Sequence, residues 1–286
     1  MAKCTSYCAL DVAGFLLLFV LEGLLWFGVV PPLKRTVYCH DQTIQQPLRP
    51  QTISIVALLV IVFAIAALII VVEILFKRNQ DKHNEEVLKF ACLPLRPWHR
   101  RLLFITAMYF YGGTVGMFFT DLVKRMVGRL RPNFLAICTP HAHLNCTQPI
   151  SDSDCTGDPF WISQGRTSFP SGHSSIITFC AVFFALYVET RIRTRRTALL
   201  KPCVQILALG LAVFVSMSRV YDFYHHVTDV LAGMAIGATV AVYIVLKPLE
   251  LFDQSDPARC QHGKNNNYLT ECAPYDENTA PLEHQV

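Results

Sequence analysis

The stretch ISIVALLVIVFAIAALIIVVEILF, from Ile53 to Phe76, holds a single ionisable side chain, Glu73. Few environments accept such a run. About 20 apolar residues in a helix cover the roughly 30 Å hydrocarbon core of a bilayer. Within that core only helices and closed barrels satisfy every backbone group. The whole chain follows the same pattern. Only 16% of its residues are charged, and 52% are hydrophobic, against about 25% charged in ordinary soluble domains. Six segments read as spans: Cys8–Val30, Thr52–Phe76, Leu102–Val123, Ser174–Thr190, Lys201–Ser218 and Val227–Leu246. The fourth and fifth are short and depend on their flanks. The expected fold is all-α, a polytopic membrane protein of six transmembrane helices. The first run is too long for a signal peptide and lacks a small-residue cleavage site, so it reads as a retained span. No repeat of fixed period is visible.

Six spans put alternate connections on opposite sides. Lys3, the segment Lys77–Arg101, the segment Arg191–Lys201 and the C-terminal tail together carry 16 Lys and Arg, and the other side carries 9. The positive-inside rule therefore places both termini in the cytoplasm. Asn145-Cys146-Thr147 is an N-glycosylation sequon, and this topology puts it outside, where Asn145 would carry sugar. Cys138, Cys146 and Cys155 share that loop. An oxidising compartment lets one pair of them bridge, with the pairing open. The other cysteines are expected in spans or on the cytoplasmic side, reduced, with Cys4 and Cys8 as candidates for palmitoylation.

The basic loop KRNQDKHNEEVLKFACLPLRPWHRR suits a short interfacial helix resting on anionic head groups. Residues 1–250 form the membrane domain, and the polar segment 251–286 reads as a disordered cytoplasmic tail. The connection from Lys124 to His173 is the longest, and long loops in compact proteins are usually functional or disordered. Its aromatic stretches DPFWIS and TSFPSGH favour function.

Three polar clusters fall on the outer face. KRMVGRLRP, Lys124 to Pro132, places four bases on the side where anchoring bases are not expected. Lys124 and Arg131 lie two helical turns apart and are expected on one face, with Pro132 ending the helix. Two converging cations suit an anion with several oxygens. FPSGHSS, Phe169 to Ser175, makes a turn before an apolar helix, whose N-terminal N–H groups favour an anion. Ser171 and Ser174 add hydroxyl donors, and His173 is placed to hand over a proton. The third cluster, SRVYDFYHHVTD from Ser218, opens the last span. Arg219 is a forked oxygen binder. Asp229 needs a partner at a span end, and either His225 or His226 reaches it by spacing. A carboxylate behind one ring nitrogen leaves the other as a nucleophile or base. Taken singly, these are a basic anchor, a serine cap and a His–Asp pair securing a helix end. Zinc on the histidines is the rival chemistry, but Lys124, Arg131 and Arg219 would repel a dication, so no metal or other cofactor is expected.

Read together, Lys124-x6-Arg131-Pro132, Pro170-Ser171-Gly172-His173 and Ser218-Arg219-x5-His225-x3-Asp229 resemble the three-part signature of the type 2 phosphatidic acid phosphatase superfamily. The span and loop arrangement looks like its lipid phosphate phosphatase branch. The resemblance covers most of residues 1–250, with no core position missing. It implies that Lys124, Arg131 and Arg219 hold a phosphate, with Ser171 and Gly172 donating to its oxygens. It implies that His225, not His226, is the nucleophile, oriented by Asp229 and forming a phosphohistidine. His173 would protonate the leaving alcohol and then assist water. The implied substrates are phosphatidate, lysophosphatidate, sphingosine 1-phosphate and ceramide 1-phosphate. The implied setting is an integral membrane protein, at the plasma membrane, with its site extracellular or luminal and a role in lipid signalling. Relatives associate, so a homo-oligomer is open; nothing points to nucleic acid. Two other readings compete. One is a non-enzymatic lipid-interacting relative, which would have lost catalytic positions present here. The other is a transporter, which Glu22 and Asp11 would fit but the nearly bare second span does not.

Overall fold

In the computed structural model, residues 2–80, 88–90, 93–95, 97–140, 148–191 and 199–247 are described. Asn145, Cys146 and the tail 251–286 lie outside them, as do the side chains of Cys4, Cys8 and Asp11. The described residues form helices α1 (Ala2–Trp26), α2 (Ile55–Gln80), α3 (Pro97–Val127), α4 (Phe134–Cys138), α5 (Pro159–Gly165), α6 (Gly172–Arg191), α7 (Leu200–Tyr221) and α8 (Val227–Leu246). Five of these, α2, α3, α6, α7 and α8, contain stretches long and apolar enough to cross a membrane. In α1 the segment Val12–Trp26 is a shorter apolar helix, but all 25 residues of α1 rise about 37 Å at 1.5 Å each. Each expected span thus has its helix, with ends shifted by a few residues.

Between α2 and α3 the described residues form no helix but an antiparallel pair, β1 (Leu88–Phe90) and β2 (Leu93–Leu95); the rest of the expected interfacial helix falls outside the described residues. Pro94 lies within β2, and proline lacks the N–H that a helix interior needs. Pro97 opens α3, where a first-turn proline is well tolerated.

Helix α6 is the centre of the bundle and packs against α2, α3, α7 and α8. Its Phe179, Phe183 and Tyr187 meet Tyr109 of α3 and Ile65 and Ile69 of α2 in one core. Tyr109 stands edge-on to Phe183 and donates from Oη to the Val62 carbonyl at 2.9 Å. Leu17, Phe63, Ile206, Leu207 and Tyr243 are exposed on the outer helix faces, which suits lipid contact. Glu73, in the second span, is only 2% exposed. Its carboxylate accepts from Tyr187 Oη at 2.8 Å and Arg191 Nη2 at 3.2 Å, at the end of the bundle away from the Arg219 end of α7.

A second, smaller core caps the Arg219 end. Val37, Ile44, Leu130, Phe134, Ile150 and Ile162 pack together, joining the α1–α2 connection to the long connection after α3. Ion pairs from Lys34 and Arg166 to Asp152 fasten it. Cys138 pairs with Cys155, which answers the open pairing. Cys39 is also disulfide-bonded, contrary to its expected reduced state; it lies in the α1–α2 connection, which span alternation puts on the same side as Cys138 and Cys155.

The contact that sets the site is between α6 and α8. A Cβ on Gly233 would lie 2.4 Å from the Ser171 carbonyl oxygen, and one on Gly237 would lie 2.1 Å from that of Ser175. Small residues four apart let two helices approach this closely in a membrane. Gly237→Ala should therefore destabilise the protein by about 1–3 kcal/mol, the usual range for overpacking, seen as a lower melting midpoint in detergent. Gly210→Ala, with nothing within 4 Å of the new Cβ, should leave the midpoint unchanged or slightly raised.

Candidate active site

All three sequence clusters meet at one end of the bundle. Lys124 lies in the last turn of α3, Gly172 and His173 begin α6, Arg219 lies in the last turn of α7, and Asp229 lies in the first turn of α8. Lys124 and Arg131 do not share a helix, as their spacing suggested. Gly128 adopts a left-handed φ of 59°, and its N–H still bonds the Lys124 carbonyl at 3.1 Å. Such a residue ends a helix, so Arg131 comes from the loop beyond. Its backbone N–H donates to the Gly165 carbonyl at 2.8 Å, and Ser168 N–H donates to the Arg129 carbonyl at 2.9 Å. These bonds lay the first cluster beside the loop that leads to the second.

The cations converge. A Cβ on Gly172 would sit 2.9 Å from Lys124 Nζ, so the ammonium lies against the start of α6. Arg131 and Arg219 flank the Tyr224 ring, with guanidinium carbons 5.7 and 5.8 Å from its centre. Lys124, Arg131, Arg219 and His225 are all within electrostatic reach of His173. Arg131 Nε and His173 Nε2 are buried and make no hydrogen bond among the described residues. Burial, together with the neighbouring Arg219, pushes the Arg131 guanidinium down to about 10, although Tyr224 and Asp229 oppose the change. Buried polar atoms without partners are rare in folded chains, and here they lie among positive charges. Ser171 is fully buried. Its N–H donates to the Asp229 carbonyl at 2.9 Å, and its hydroxyl accepts from Ser174 Oγ at 3.0 Å.

His225 precedes α8 and is buried. Its Nδ1 lies 2.7 Å from the Ser168 carbonyl oxygen. A carbonyl only accepts, so Nδ1 carries the proton and Nε2 of the neutral ring keeps its lone pair. Burial pushes the ring down to about 4; Asp229 pulls the other way, and Arg131 and Lys124 reinforce the shift. Asp229 Oδ2 is 3.8 Å from His225 Nδ1, longer than a hydrogen bond. That carboxylate accepts from Ser168 Oγ at 2.6 Å and from the His226 N–H at 3.0 Å, with His226 Nδ1 at 3.2 Å. Its Oδ1 accepts from Arg129 Nη1 at 2.6 Å. Of the two histidines that spacing left open, His226 is the one bonded to Asp229, and the Ser168 carbonyl accepts the hydrogen bond from His225 Nδ1.

Sequence reasoning passed over Arg129, Ser168, Asp121 and Asp222. Asp121 pairs with Lys124, and Asp222 pairs with Arg219 at 2.8 Å; both acids lie three residues from their base, a helical signal that was available. Nothing local marked Ser168, whose partners are 57 and 61 residues away. Glu22, left unassigned by its sequence, lies beside Asp121, with Lys124 and Arg125 nearby.

The PAP2 superfamily model matches residues 98–252. Phospholipid phosphatase 2 of Homo sapiens is 36% identical over 239 residues, covering 80% of this chain and 78% of its own. Phospholipid phosphatase 2 of Rattus norvegicus is 34% identical over 244 residues, covering 82% and 83%. Phospholipid phosphatase 1 of Mus musculus is 31% identical over 287 residues, covering 94% and 97%. No solved structure gives a match.

The buried ring yields a pH dependence. Because His225 titrates near 4 in the folded chain and near 6.5 ordinarily, the unfolded chain takes up its proton first as the pH falls. The stability tied to the neutral ring is full above about 6.5 and is lost as the pH falls towards the folded value. In His225→Gln the drop in melting midpoint between about pH 7 and about pH 5 should be smaller than in the wild type. An equal drop in both would mean that the ring titrates normally.

Proposed function

Since the chain belongs to the PAP2 superfamily, we propose that it is an integral membrane lipid phosphate phosphohydrolase that works without Mg²⁺ through a phosphohistidine. The observation that carries the reading is the convergence of Lys124, Arg131 and Arg219 beside His225, whose Nδ1 is engaged by the Ser168 carbonyl at 2.7 Å. A neutral imidazole held in one tautomer is a competent nucleophile. Phosphoryl transfer spreads charge over three equatorial oxygens, and fixed donors stabilise that charge without reorganising.

In this reading Lys124, Arg131 and Arg219 bind the phosphate, with Ser171 and Gly172 at the start of α6. His225 Nε2 attacks phosphorus while the bond to the lipid oxygen breaks. His173 protonates the departing alkoxide, then takes a proton from the water that attacks the phosphohistidine, and inorganic phosphate leaves. Asp229 holds the segment that carries His225, through Ser168 and His226, and stands near the ring as a counter-charge. Ammonium and guanidinium groups supply the positive charge that a metal would otherwise bring. The substrate class is phosphatidate, lysophosphatidate, sphingosine 1-phosphate or ceramide 1-phosphate. A site at a bundle end lets the head group enter while the acyl chains stay in the bilayer. Its face is extracellular or luminal, at the plasma membrane.

His225→Ala should abolish phosphate release from these lipids in EDTA while the protein still accumulates in membranes. A wild type that needs added Mg²⁺ would contradict the metal-free cage. Arg219→Lys should lower kcat/KM by about two orders of magnitude or more, because a point charge cannot replace a planar fork; full activity would remove Arg219 from the phosphate.

A further inference from the structure

The match to the superfamily model begins at residue 98, and every residue given a part in the proposed reaction lies beyond it. The segment that leads into α2 lies before it, yet it is bound to the α7–α8 turn by a dense set of contacts. Thr52 N–H donates to Asp222 Oδ2 at 2.8 Å, and Thr52 Oγ1 donates to Asp222 Oδ1 at 2.7 Å. Gln51 Oε1 accepts from Arg219 Nη1 at 3.4 Å. Tyr224 Oη donates to the Arg49 carbonyl at 3.2 Å, and the Arg49 guanidinium covers the Phe223 ring at 4.4 Å. Asp222 Oδ2 also accepts from Arg219 Nη2 at 2.8 Å. Both Arg219 and Asp222 are 1% exposed.

We propose that Asp222 is a positioning residue for Arg219, and that Thr52 fixes Asp222 so that the segment Arg49–Thr52 sets the affinity of the site for a phosphoryl group. The proposal rests on the reading that Arg219 binds phosphate. Its logic is planar geometry. A guanidinium has five N–H bonds in one plane. Ser218 Oγ takes the one on Nε at 3.2 Å, Gln51 takes one on Nη1 and Asp222 takes one on Nη2. Three partners in different directions fix the plane, and each terminal nitrogen keeps one N–H for a ligand. Two such donors match two oxygens of a phosphate. Asp222 in turn has both oxygens tied to Thr52, so it cannot swing with the arginine. A preset fork loses less freedom on binding, and that raises affinity.

Thr52→Val removes the hydroxyl bond and keeps the shape and the backbone N–H. With the full-length protein in detergent micelles, it should weaken inhibition by orthovanadate about 10-fold and lower kcat/KM by a similar factor. Thr52→Ser, which keeps the hydroxyl, should stay within about twofold of wild type. Asp222→Asn should go further in the same direction, by about 100-fold; where it fails to accumulate, the Thr52 pair decides alone. A merely structural link would lower the melting midpoint of Thr52→Val and leave orthovanadate inhibition of the folded protein unchanged, and that result overturns the proposal. So does a Thr52→Ser as impaired as Thr52→Val. A wild type that releases no phosphate from any lipid phosphate and ignores orthovanadate would instead sink the functional reading beneath it.

Discussion

The Asp229 carboxylate joins three separate stretches of chain at one point. Arg129 reaches it from the loop after α3, Ser168 from the loop before α6, and His226 from the start of α8. It is wholly buried at the mouth of an apolar helix, where an ionised group without partners costs several kcal/mol. The partners are therefore a condition of the fold, and meeting that condition brings the three motif segments together. A separate main-chain bond closes α6 on α8. Ser171 can donate to the Asp229 carbonyl only because Gly233 leaves no side chain between them.

Charge compensation then sorts the bases by role. Lys124 leans on Asp121, Arg219 on Asp222 and Arg129 on Asp229. Arg131 has no acid of its own at salt-bridge distance among the described residues, its Nε makes no hydrogen bond among them, and burial lowers its guanidinium. A cation in that position gains most from an incoming anion. The others are held in place beforehand, which is the form of electrostatic preorganisation that accelerates a reaction with developing negative charge.

The spans were legible because hydropathy is a local sum. A run such as Ile53–Phe76 identifies its environment whatever lies elsewhere in the chain. The end of α3 was not. Pro132 is the louder stop signal, but Gly128 acts first, and the Leu33 carbonyl oxygen lies 2.0 Å from where a Cβ on it would stand. That is a tertiary fact, set by a residue far away in sequence. The disulfide at Cys39 was within reach of the sequence: the alternation of spans that puts Lys34 and Arg49 outside puts Cys39 there too. Within the site, the residues with side chains of distinctive chemistry, Lys124, His173, Arg219 and His225, could be read directly. Ser168 could not, since its bond to His225 comes from a backbone carbonyl, which any residue type supplies, and the Asp229 that its hydroxyl reaches is 61 residues away. The histidine partner of Asp229 illustrates the limit: residues three and four positions away both fit a helix face, but α8 starts after both, so helical spacing could not choose between them.

The cap also bears on which side of the membrane the site faces. Structural disulfides persist in oxidising compartments and are rare in the cytosol. The bond between Cys138 and Cys155 spans the connection after α3, the one that carries Arg131 and leads to His173. By the count of Lys and Arg, the charge rule expects the long basic loop and the tail on the cytoplasmic side and this connection on the opposite one. Thiol redox chemistry and the charge rule of membrane insertion are thus two independent arguments for the proposed extracellular or luminal orientation. The bases around the site oppose the charge rule locally, and the acids Asp121, Asp222 and Asp229 beside them reduce the net positive charge that insertion must carry across.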